Sequence, residues 1–219
     1  MPKLPKLIEW RRGRAAPAAD AFVFIADDEE VPAGDVIVSL TRFHAEGERL
    51  IGEGRQVGVR VAAGEDVESL AYDLPAIALV ALEFPKFKDG RSYSAARILR
   101  ERFGYQGQVR AVGDVLLEQA SFMIRCGFDA FAPADGTGAK DWTAAAARYR
   151  HVYQRAADDR EPAFALRSAA FAPSTTLWSP SPVNGGGSIA DLPLRSGGRA
   201  GEAGRGAANS GEPVQGEAA

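Results

Sequence analysis

The sequence predicts an α/β fold: an open, mostly parallel five-stranded sheet with helices on both faces. Two observations carry this reading. Between residues 33 and 158, short apolar runs alternate with stretches whose apolar residues recur at helical spacing. Strand-then-helix units repeated in this way form parallel sheets joined by right-handed crossovers. A closed eight-unit barrel needs roughly 200 residues or more, so a partial βα barrel is the alternative arrangement.

The elements follow in order. VIVSL at 36–40 reads as a buried strand, and RFHAEGERLIGEG at 42–54 as a helix interrupted by Gly47. VGVRVAA at 57–63 is a second strand with Arg60 interrupting it, followed by a short acidic helix, EDVESLAYDL. AIALVALEF at 76–84 is the third strand, and its near-continuous apolar character fits cover on both faces. SYSAARILRERFG at 92–104 is the third helix. Ala95, Ile98, Leu99, Arg102 and Phe103 share one face, and Gly104 suits the position just past the helix end. VRAVG at 109–113 is the fourth strand. Asp114 can cap the helix VLLEQASFMIRCG, which stops at Gly127. AFAPA at 130–134 is a weak fifth strand, and residues 140–157 form a terminal helix.

Three regions result: an N-terminal arm at 1–32, the α/β domain at 33–165, and a tail at 166–219. Gly, Pro, Ser and Ala dominate the tail, which buries too little apolar surface to offset its conformational entropy and is expected to be disordered. Trp178 and the GGGS at 185–188 stand out there. Those glycines neither follow a strand nor open a helix, so they do not make a phosphate loop.

Composition narrows the function. A net charge of −3 argues against a nucleic-acid binder. One cysteine, Cys126, excludes an internal disulfide and a four-cysteine iron–sulfur site supplied by this chain alone. His44 and His151 are too few for most zinc sites built from His and Cys. The opening MPKLPKLIEWRRGR lacks a signal-peptide core, and no stretch has the length of a membrane span. The expectation is a cytoplasmic protein that binds neither membrane nor nucleic acid.

The densest polar chemistry falls after the third strand, where ligands bind in parallel α/β sheets. Lys86, Lys88, Arg91 and Arg97 surround the helix start at Ser92, Tyr93 and Ser94, so an oxyanion could bind to them and to the free amides there. Tyr93 adds a hydroxyl and a ring. The plain alternative is a turn at Asp89-Gly90, a Ser92 cap and solvated lysines. Glu83, Asp89 and Asp114 are candidate acid–base groups, and Asp114 reads more simply as a helix cap. His44 could join as a base, although a lone histidine in a first turn is more often a surface residue. Cys126, on an apolar helix, reads as a buried, inert thiol.

The residues FPKFKDGRSYSAARILRERFGYQGQVRAVGDVLLEQASFMIRCGFDAF resemble a bacterial family known as domain of unknown function 934. The likeness extends more loosely from about Val36 to about Phe164. Gln108 stands where that family usually has Glu, and Glu118 and Ala120 where it has Asp and Leu. The resemblance implies a role in assimilatory sulfite reduction. Members are described as oxidoreductases and are encoded beside a sirohaem sulfite or nitrite reductase, which becomes the implied partner. It transfers no catalytic residue, and the catalytic set is unknown. The cofactor is also unknown: there is no dinucleotide fingerprint, no iron–sulfur cysteine set and no dithiol. A flavin phosphate or a bare anion on the Ser92 helix start stays open. So does a different class of function, a non-catalytic partner or anion-sensing module docked on the reductase.

Overall fold

The structure, a computed structural model, describes residues 7–158 and 160–171. The expected tail from 172 onward, including Trp178 and residues 185–188, lies outside the described residues.

Eight strands form one curled sheet, a half-barrel, in the order β2-β1-β8-β7-β6-β5-β4-β3. They are β1 (Leu7–Arg11), β2 (Arg14–Ala18), β3 (Val23–Phe24), β4 (Val36–Ser39), β5 (Val57–Val61), β6 (Leu79–Phe84), β7 (Gln108–Gly113) and β8 (Ala130–Phe131). β3 to β8 run parallel, and β1 joins antiparallel to β8 and to β2. The helices are α1 (Leu40–Gly52), α2 (Arg91–Arg97), α3 (Ala120–Cys126), α4 (Ala139–Ala147) and α5 (Ala163–Phe171).

Three expectations need correcting. The sheet has eight strands rather than five, because the N-terminal arm contributes β1, β2 and β3. The terminal helix is shorter than expected, and α5 extends into the region assigned to the tail. The helices cover one face of the sheet rather than two. From β3 to β8 each strand lies beside its sequence neighbour, so every right-handed crossover returns on the same side. The partial-barrel alternative describes this better than the doubly wound sheet.

Strand alternation sorts the two faces. Val38, Val59, Val80, Leu82, Phe84, Val109 and Phe131 pack with Leu50, Leu99, Met123 and Trp142 of the helical layer in one core. Among the described residues, the opposite face holds a small cluster, Ile37, Leu79 and Ala81, with Phe22 and Val112 against it and no helical residue. The apolar character of β6 therefore has two sources. One face meets helices, and the other meets the arching segment that carries Phe22.

Candidate functional site

The bare face holds a cleft of about 640 Å³, within the size range of small-molecule sites. Its residues come from the segment between β2 and β3, from β3 to β7, and from the segment after β8, so it lies toward the carboxyl ends of the strands. Phe22, Phe24, Ile37, Ala81 and Val112 give it apolar walls, and Asp20, Arg60, Glu83 and Arg110 supply charge.

Neighbouring strands set the geometry. Arg60 on β5 donates through Nε (3.1 Å) to one oxygen of Glu83 on β6, and its Nη2 lies 2.6 Å from the same oxygen in an ion pair. Its guanidinium lies 5.0 Å from the ring centre of Phe24. Arg110 is more enclosed, with a side chain 4% exposed. It donates to Asp20 at 2.8 Å and twice to the Gln108 side-chain oxygen, at 3.1 and 2.9 Å. The Arg110–Asp20 pair pins the segment that bears Phe22 across the sheet.

The expected anion site is laid out differently. The Arg91 guanidinium forms a two-pronged pair with Asp89 (3.0 and 2.6 Å), which holds the Asp89 carboxyl down at about 2. Arg97 pairs with Glu101 four residues further along. Lys86 and Lys88 are exposed, and among the described residues no carboxylate pairs with either. The Ser92 hydroxyl donates to the Glu83 carbonyl at 2.5 Å instead of capping the helix, and Ser94 is exposed. The Tyr93 ring packs edge-on against Phe84 and Phe122, and burial raises its hydroxyl pKa. Asp114 accepts the Phe87 amide at 2.7 Å, latching the turn after β6 rather than capping a helix. Of the ten expected residues, Glu83 alone lines the cleft.

His44 lies outside it, exposed and 3.2 Å from the Ser69 hydroxyl. Cys126 is buried, and burial pushes its thiol up to about 11, away from nucleophilic use. Among the described residues, no three His, Cys, Asp or Glu side chains gather as a metal ligand set.

Sequence reasoning missed Asp20, Phe22, Phe24, Arg60 and Arg110 as a group. Arg60 and Arg110 are charges inside otherwise apolar strands, and that was the available signal. A charged residue inside a strand needs a partner. Here the partners come from a neighbouring strand and from the arm.

The family model described as "Bacterial protein of unknown function (DUF934)" matches residues 58–164. Those residues are similar to that family, as the resemblance implied. They include Arg60, Glu83 and Arg110 but not Asp20, Phe22 or Phe24. A comparison with curated proteins finds no match. Among the described residues, no helix is long and apolar enough to cross a membrane.

Proposed function

We propose that the protein serves assimilatory sulfite reduction in the cytoplasm, as an accessory protein or oxidoreductase beside a sirohaem sulfite or nitrite reductase. Its small ligand is held in the bare-face cleft. The pathway rests on the family resemblance. The ligand site rests on one observation: Arg60 and Glu83 face an apolar cleft at the carboxyl edge, where parallel α/β sheets bind ligands. In a bacterium lacking the gene, growth on sulfate should fail while growth on cysteine persists, and an Arg60→Ala copy should not restore it. Normal growth of the deletion strain on sulfate contradicts the pathway.

An oxyanion at Lys86 to Arg97 stays within the proposal, because Lys86 and Lys88 are the cations there without an ion pair among the described residues. Sulfate titration of a Lys86→Ala, Lys88→Ala double variant tests it, and unchanged binding removes that site. The second reading, a docking partner without turnover, is favoured by Phe122, Tyr149 and Tyr153, exposed by 56%, 59% and 84% around one groove. Tyr153→Ser should then weaken co-purification with the reductase, and undiminished co-purification counts against it.

A further inference from the structure

The cleft reading carries a more specific consequence, which rests on it: the kind of ligand the cleft accepts. The charges around the cleft cancel, Arg60 against Glu83 and Arg110 against Asp20. Arg110 is committed, its Nε, Nη1 and Nη2 all donating to protein oxygens. Arg60 is not. Its Nε donates to Glu83 Oε2 and its Nη2 lies 2.6 Å from that same oxygen, while among the described residues Arg60 Nη1 and Glu83 Oε1 make no hydrogen bond.

The cleft thus offers one uncommitted donor group and one uncommitted acceptor on adjacent strands, between apolar and aromatic walls. Phe24, 46% exposed, presents aromatic surface beside them. An oxyanion can use only the donor, and it would sit against the Glu83 and Asp20 carboxylates. An uncharged ring with both a carbonyl and an N–H can satisfy donor and acceptor together while covering the phenylalanines.

We infer that the cleft binds an uncharged, planar heteroaromatic ring bearing carbonyl and N–H groups, the chemistry shared by flavins, oxopterins and oxopurines such as guanine. Arg60 Nη1 donates to a ring carbonyl, and Glu83 Oε1 accepts from a ring N–H. Calorimetric titration of the full chain with riboflavin, neopterin and guanosine tests this. 3-Methylriboflavin and 1-methylguanosine, which lack the ring N–H, serve as matched probes. At least one parent compound should bind, and the three arms identify its source. For a flavin or purine, methylation should weaken binding by about tenfold or more. For any of the three, Arg60→Ala should do the same while lowering the melting temperature by a few degrees at most. Equal binding of the methylated ring, or no loss in Arg60→Ala, overturns the proposal. If the rings fail but sulfate or phosphate binds and Arg60→Ala abolishes it, the heterocycle is wrong and the cleft still holds a ligand. If neither rings nor oxyanions bind, the cleft reading fails as well.

Discussion

Two arginines at opposite edges of the sheet show what separates structure from function here. Arg100, in the widened turn Ile98–Arg102 that continues α2, donates to the carbonyls of Gly127 (2.9 Å), Gly107 (2.9 Å) and Tyr105, and to Asp129 (2.8 Å). Asp129 in turn accepts the Val109 amide, and the Tyr105 hydroxyl donates to the Ile77 carbonyl. This network ties α2, the loop before β7 and the loop before β8 together at the amino edge. Arg60, at the carboxyl edge, has Glu83 as its one hydrogen-bond partner among the described residues and a cleft in front of it. Buried polar networks hold a fold when every member is satisfied. An arginine with donors to spare beside an apolar cleft is placed for a ligand.

Arg100→Ala is the largest expected effect. It leaves three carbonyls without a donor and Asp129 without its cation, at a cost of about 2–3 kcal/mol in urea unfolding, most of it from the carbonyls. Arg60→Ala removes a partly exposed pair and leaves no backbone carbonyl without a donor, so it should cost at most about 1 kcal/mol. Equal losses would erase the contrast between the two edges.

Gly58→Ala sharpens the contrast between the faces. A Cβ there would lie 2.7 Å from Leu79 Cγ and 3.0 Å from Ile37 Cγ1, overfilling the bare-face cluster. The expected loss is about 1–3 kcal/mol, and no loss would mean that cluster is loosely packed. Gly113→Ala should cost about 1–2 kcal/mol, because φ is +95° and a Cβ would meet the Phe84 carbonyl. A melting curve that matches wild type would show that the edge of the cleft is pliable.

The smallest effects lie outside both regions. The buried Cys126 thiol, raised to about 11, should resist alkylation at pH 8 until the chain is unfolded. Rapid native labelling would show that the helical layer opens. Arg91→Ala should return the Asp89 carboxyl from about 2 toward its ordinary range with the melting temperature unchanged. An unmoved Asp89 titration by NMR would mean that the pair does not form in solution.

Much of the parallel layer was legible in the sequence, because each apolar run from 36 to 131 is flanked by its own helix or turn. Gly127 is one such mark, with φ +98° just past α3. The strands of the arm were not legible. RAAPA and VF carry neither alternation nor length; RAAPA pairs with β1, which itself joins the open edge of β8, and VF pairs with the open edge of β4. The same gap hid the cleft. Arg110 meets Asp20 ninety positions away, a contact no local pattern encodes. The motif that carries the family resemblance misled in another way. Many of its polar residues, Arg100, Asp114 and Asp129 among them, satisfy backbone groups and hold turns in place. Dense polar sequence at a strand end marks a site only when some of its hydrogen bonds are left unmade.

NMR titration of the isotope-labelled chain, with whichever of riboflavin, neopterin or guanosine binds, tests the central claim most directly. The account predicts that the backbone signals of Arg60, Glu83, Gly113 and Gly136, around the cleft, shift together and saturate at one affinity. Those of Ser92 to Ser94 and of Gly127 to Asp129 should hold still. Shifts centred on Ser92 to Ser94, or on the Arg100 network, or no shifts at all, would contradict it.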